Sequence, residues 1–352
     1  MRLVRHAVVG TFVLMLGGCT GFGPATMRHQ QADYAAALAD AGKRQTLLNI
    51  VKLRYGDVPA FVTVNQILAG YSLQGTFSVG TDLLTGGSLR LSDDAQVGVG
   101  GTFSNNPTVT YAPVTGTELV RTFLTPLQPA DLFALILAGV PAELVLGLGL
   151  HSIGGYDNEL AAPGVQRAAE PGFADVTTLM LEIHAAGRLG VQLAAGAPNR
   201  VVTLRIERPR DAAAPELRLR RLLGLPDERD SFEVVYGLGD AQPGQIVIRT
   251  RSLIEVLSQL SGDIDVPEGD VAEGRTYRAI AHGGSALPRV TVRHGRLEPR
   301  DAFVAIAYDG DWFWIDNRDL DSKRVFSFVM LLLSLSESSK PGQPPVITIP
   351  AG

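Results

Sequence analysis

Cysteine is nearly missing from this chain: Cys19 stands alone among 352 residues, so no internal disulfide can staple the fold. Charge is sparse at 19% and leans acidic, with 31 basic against 36 acidic side chains. A surface that coats nucleic acid needs the opposite sign, so no nucleic-acid partner is expected. Beyond the first eighteen residues no uninterrupted apolar run approaches the roughly 20 residues of a membrane-spanning helix, which excludes a polytopic helical protein. Recognisable catalytic motifs are missing too. Gly42-Lys43 lacks both the upstream glycine and the Ser/Thr of a phosphate-binding loop, having Ala37 and Arg44 there. Gly147-Leu148-Gly149 leads to Ser152 where a dinucleotide fingerprint has its third glycine. Gly70-Tyr71-Ser72-Leu73-Gln74 misses the last glycine of a nucleophile elbow. His29, His151, His184, His282 and His294 are scattered, with no pair at metal-ligand spacing, so neither a metal nor a cofactor is expected. What the chain does have is a 45% hydrophobic composition, ample for one large core or two smaller ones.

The N-terminus carries a distinct signal. Arg2, Arg5 and His6 give a short basic start, and Ala7 to Gly18 follow without a charge. This is the layout of a secretory leader, too short to span a bilayer as a mature helix. It ends in Leu16-Gly17-Gly18-Cys19, which resembles the lipobox of bacterial lipoproteins. The resemblance implies cleavage before Cys19, a diacylglyceryl thioether on its sulfur, and a third acyl chain such as palmitate on the new amino group. Thr20 follows, not Asp, which in such lipoproteins favours transfer to the outer membrane. Residues 1–18 then form the signal peptide and 19–27 a Gly/Pro-containing tether.

Hydrophobic spacing organises the rest. Arg28 to Asp40 and Lys43 to Arg54 suit helices, the second stopped by Tyr55-Gly56-Asp57. Pro59 to Leu68 is apolar, helix or strand. From 71 to 111 the pattern changes to alternation: Leu73, Phe77 and Val79, then Val97, Val99 and Phe103, interleave with polar or glycine positions. This predicts a long Gly-rich β-hairpin, with a third strand over Thr108 to Tyr111 after Asn105-Asn106-Pro107. Gly116 to Ile153 reads as short helices started by prolines, and Ala161 to Gly172 as a loop. Val176, Leu179, Met180 and Ile183 mark an amphipathic helix. Strands are predicted at Arg200 to Ile206, Phe232 to Tyr236, Gln245 to Arg249, Val290 to Val292, Phe303 to Tyr308, Trp312 to Ile315 and Val346 to Ile349. Helices fit Pro215 to Leu223, Ser252 to Leu260 and Ser322 to Leu335, with a loop over Gly262 to Gly274. The expected class is α+β, mixed helices with short antiparallel sheets. A helical lobe, 28–160, holds the inserted hairpin 71–111, and an α+β lobe covers 173–352.

Several blocks together carry a family resemblance: Leu47 to Asp57 (LLNIVKLRYGD), Pro107 to Gly116 (PTVTYAPVTG) and Trp312 to Arg324 (WFWIDNRDLDSKR). They resemble an uncharacterised family of bacterial, mainly proteobacterial, lipoproteins. That resemblance implies export and lipidation and attaches no activity, substrate or catalytic residue.

The densest polar cluster is Asp309, Asp311, Asp316, Asp319 and Asp321, around Trp312 and Trp314. Paired carboxylates beside a tryptophan platform could serve glycan hydrolysis, or the acids could hold calcium. Against this, Asp309-Gly310 suits a hairpin turn, and Asp319 or Asp321 suits the cap of the following helix. The two tryptophans share one strand face and Phe313 and Ile315 the other, as in a strand covered on both sides. Arg44, Arg54 and Arg251 are candidates for buried pairing or partner contact. Three functions follow as expectations. The first is a non-enzymatic scaffold or binding component of an envelope assembly, anchored in the outer membrane through Cys19. The second is an oligomer contributing hairpin 71–111 to a shared β-barrel pore. The third is a glycan or peptidoglycan hydrolase using the Asp316–Asp321 region. Expected partners are the lipid bilayer, further copies of the chain, or another envelope protein.

Overall fold

A glycine in the left-handed region ends the first helix. In a computed structural model of the chain, helix α1 (Pro24–Arg54) runs without a break through the two helices expected there, and Gly56 adopts φ +71° beyond its end. The Asp57 amide then donates to the Lys52 carbonyl at 2.8 Å, satisfying a terminal acceptor. Gly42, inside the helix, lies where a β-carbon would press on Met330. The structure describes residues 24–68, 71–80, 96–105, 108–162, 165–194, 200–208, 214–239, 242–278 and 289–338. The leader 1–18, Cys19 and the predicted strand Val346 to Ile349 lie outside the described residues. Contacts divide the chain into two units, one of Met1–Pro59 with Thr117–Gly352, the other of Ala60–Gly116.

Among its described residues the smaller unit, called the ribbon below, holds two antiparallel pairs built from β1 (Val62–Leu68), β2 (Tyr71–Gly80), β3 (Gln96–Asn105) and β4 (Thr108–Pro113). β2 pairs β3 from Tyr71–Asn105 to Gly80–Gln96, and β1 pairs β4 from Val62–Pro113 to Leu68–Thr108. Residues 108–111 therefore do not fold back as a third strand on β3. They pair instead with β1, antiparallel. One bulge, between Val64 and Gln66, shifts the register.

The larger unit begins with α2 (Gly116–Leu119), which runs into a π-helical turn, Val120–Leu124. α3 (Pro129–Leu137) and α4 (Ala142–Gly149) follow, Pro129 in the first turn and Pro141 before the second helix, where no amide donor is missed. Next come β5 (Leu150–Ile153), β6 (Tyr156–Asp157), β7 (Leu160–Ala162) and β8 (Val165–Arg167). α5 (Pro171–Ala185), β9 (Leu189–Ala194), β10 (Val201–Ile206) and α6 (Pro215–Leu222) lead to β11 (Ser231–Tyr236) and β12 (Gln245–Thr250). α7 (Leu253–Ser261), α8 (Glu268–Ala272), β13 (Arg293–Gly295), β14 (Ala302–Tyr308), β15 (Asp311–Asp316) and α9 (Leu320–Ser338) complete the order.

The fold is α+β. A six-stranded sheet runs β6-β5-β12-β11-β10-β9, and a three-stranded antiparallel sheet runs β13-β15-β14. Within the larger sheet β11 and β12 pair in parallel, so it is mixed rather than antiparallel throughout. Burial alternates along β10 and β12, with Val202, Leu204, Ile206, Ile246 and Ile248 inside, as a half-buried sheet requires. α3 packs on β9, β10 and β11. α1 meets β14 and α7, burying Leu47, Ile50 and Val51 completely, each worth about 1.5–3 kcal/mol in removed apolar surface.

Several expectations change. Leu150 to Ile153 forms a strand, not the end of a helical run, and residues 160–162 and 165–167 pair where a loop was expected. Gly262 to Gly274 contains the short helix α8. The predicted strand at 290–292 forms over Arg293–Gly295, while Val292 makes only a bridge to Ile264. Among the described residues, no helix is long and apolar enough to cross a membrane.

Candidate functional site

The aspartate–tryptophan region sits on the β14–β15 hairpin and the approach to α9. Asp309 and Gly310 both have positive φ, 49° and 87°, which is what a two-residue turn between twisted strands demands. Arg275 pairs with Asp309 and also with Asp270, 3.0 Å away. Asp270 in turn accepts the Tyr55 hydroxyl at 2.7 Å. Burial first, and then this carboxylate, push the Tyr55 phenol well above its ordinary range. Asp311 is buried and lies 3.2 Å from the Arg296 guanidinium. Asp316 accepts the Arg318 amide at 2.9 Å and faces Arg293 at 3.3 Å. Asp319 caps α9, and exposed Asp321 lies 3.7 Å from Arg324 one turn on.

Trp312 and Trp314 are half-buried, while Phe313 and Ile315 beside them are fully buried. The tryptophan face of β15 is thus only partly covered, unlike the fully covered strand expected. Trp314 reaches over Gly295, where a β-carbon would come within 3.2 Å of the ring. Glycan hydrolysis needs two carboxyls facing one cleft, about 5–10 Å apart. Here the acids serve as turn, cap and ion-pair groups, and none of the five lines either groove described below. Among the described residues, no cluster of three or more His, Cys, Asp and Glu could hold a metal ion.

The buried arginines act as staples on the backbone. Arg54 donates to the carbonyls of Gly262 (3.3 Å) and Tyr277 (2.7 Å) and stacks on the Tyr277 ring. Arg251 donates to Gly147, Leu148 and Glu159 carbonyls, and burial lowers its guanidinium to about 10, still cationic at neutral pH. Arg220, not singled out by the sequence, does the same for Ile206, Pro226 and Arg229. α6 holds three arginines, Arg218, Arg220 and Arg221, and no local pattern distinguishes the buried one. Arg44 is exposed.

Two shallow grooves, of about 610 and 910 Å³, share Thr125 to Gln128 and Asp131. The first continues to Leu332 and Leu335 of α9, the second to Arg200 and the outer part of β11. Asp131 is ion-paired with Arg200, and charged Glu118 and Arg121 also line the first groove and Glu233 the second.

The ribbon is the feature with the least local explanation. Its ten β2–β3 pairs and its β1–β4 pairs from Gln66–Thr110 to Leu68–Thr108 keep one register across the intervening residues. Among the described residues, β2 and β3 belong to a sheet of two strands only. Such a ribbon is marginally stable by itself in water and presents two edges of backbone donors and acceptors. No protein-family model, curated protein or solved structure matches this chain.

Proposed function

We propose that this chain is a lipid-anchored, non-enzymatic component of a bacterial outer-membrane assembly, held at the bilayer by acylated Cys19 and engaging its partner through the ribbon of residues 62–113. Three acyl chains, at about 0.8 kcal/mol per buried CH₂, would make an anchor far stronger than a single reversible one. The observation that carries the assembly role is the ten-pair β2–β3 ladder, whose edges call for a further strand. The aspartates of the β14–β15 region support it from the other side, because each has a turn, capping or ion-pairing task.

The test is photo-crosslinking in the native envelope from Thr76 and Thr102, positions inside β2 and β3. Adducts from the ribbon, with membrane retention lost on Cys19→Ser, are the expected result. A chain recovered unacylated and without adducts would overturn the proposal.

A further inference from the structure

The composition of the ribbon restricts what its edges can meet. β2 and β3, ten residues each, contain no Asp, Glu, Lys or Arg, in a chain where 19% of residues are charged. The uncharged stretches extend from Val58 to Thr81 and from Ala95 to Thr117. Charge returns in the connection between them, at Asp82, Arg90, Asp93 and Asp94. The register then sorts the uncharged residues into two sets. Tyr71–Asn105, Leu73–Phe103, Gly75–Gly101, Phe77–Val99 and Val79–Val97 are paired at alternate steps, and Ser72–Ser104, Gln74–Thr102, Thr76–Gly100, Ser78–Gly98 and Gly80–Gln96 at the steps between. Since the pleat has a period of two, one set is apolar apart from Asn105 at its end and the other is uncharged and polar.

Ten residues at about 3.3 Å each give about 33 Å, and a tilt near 45° reduces this to the roughly 25 Å apolar band of outer-membrane barrels. A single hairpin cannot enter a bilayer, because every edge donor and acceptor must be paired there. The partner that supplies a matching edge of equal length and equal pattern is another copy of the same ribbon. Resting on the assembly role proposed above, we infer that β2 and β3 of several copies close into one transmembrane β-barrel, apolar face to lipid. Serine, threonine, glutamine and glycine line its aqueous channel. Two strands per copy make about eight copies the size at which such barrels hold open water. A lining without charge gives a pore that discriminates little between anions and cations.

The experiment uses the full-length acylated protein, extracted from its host membrane and reconstituted into phosphatidylethanolamine–phosphatidylglycerol bilayers. Single cysteines are introduced as Gln74→Cys and Thr102→Cys on the polar face, and as Val79→Cys and Val99→Cys on the apolar face; Cys19 is already blocked by its thioether. Each variant's conductance before treatment is its own control for assembly. A charged, water-soluble thiol reagent should lower unit conductance about twofold or more at Gln74→Cys and Thr102→Cys and leave the valine-site variants unchanged. Equal effects on both faces would overturn the inference. Copies that crosslink ribbon to ribbon yet carry no current would overturn the pore and leave the assembly role standing. A monomer without ribbon crosslinks would overturn both.

Discussion

Asp319 grips Ser322 with both carboxylate oxygens: Oδ1 accepts the Ser322 amide at 3.0 Å and Oδ2 accepts its hydroxyl at 2.7 Å. The Ser322 Oγ in turn accepts the Thr291 amide at 2.8 Å, so the cap of α9 also fixes the segment before β13. Asp319→Ala should lower unfolding free energy by about 1–2 kcal/mol, with Asp319→Asn recovering most of it, as read by urea denaturation. Equal loss in both variants would mean that charge, not capping geometry, sets the role.

Glu255 predicts an acid-dependent loss of stability. It closes a capping box with Ser252, accepting the Ser252 amide at 2.7 Å, and lies 3.6 Å from His151 Nδ1. The His151 contact first, and then the Ser252 amide and hydroxyl, hold its carboxyl down to about 2 against the opposing effect of burial. A carboxyl lowered in the fold stabilises above its unfolded value, near 4.3, and loses that contribution as pH falls toward 2. The side chain is 40% exposed, so solvent screening limits the contribution to about 1–2 kcal/mol. Wild type and Glu255→Gln should differ in unfolding free energy at pH 6 and converge between pH 4 and pH 2.

Arg251 should resist conservative replacement. Three backbone carbonyls from two segments, Gly147–Leu148 and Glu159, converge on its guanidinium. Arg251→Lys supplies one point charge where a planar fork is needed, so both Arg251→Lys and Arg251→Met should destabilise, by roughly 2–4 kcal/mol. Thermal and urea unfolding measure it; a neutral Arg251→Lys would show that charge alone suffices.

Gly172, in the first turn of α5, has no room for a side chain, because a β-carbon there would overlap the Tyr156 ring. Gly172→Ala should destabilise by about 1–3 kcal/mol through overpacking. The double variant Gly172→Ala with Tyr156→Leu should recover part of the loss if the ring is the obstacle.

Elements whose signal lies in a few neighbouring residues were legible from the start. The Gly56 stop of α1, the helix beginning at Ser252, the Asp309-Gly310 turn and the spacing of Val176, Leu179, Met180 and Ile183 all formed where the pattern placed them. The β7–β8 pair escaped because strands of three residues are defined by what they pair with, whereas β9 was missed although Leu189, Val191 and Leu193 alternate with Gly190, Gln192 and Ala194. The aspartates of the β14–β15 region showed their number and spacing but not their partners. Arg275, Arg293 and Arg296 come from other segments of the chain.

By itself the amino-acid sequence determined the α+β class and the alternating, uncharged character of residues 71–80 and 96–105. Tertiary structure alone decided that β4 pairs with β1 and not with β3, that β11 and β12 run in parallel, and that Arg54, Arg220 and Arg251 bind backbone carbonyls inside the larger unit. The reason is physical: turns, caps and periodicity are set by backbone preferences over a few residues. Register and buried polar pairing, in contrast, depend on which distant groups close the same space once the chain has folded.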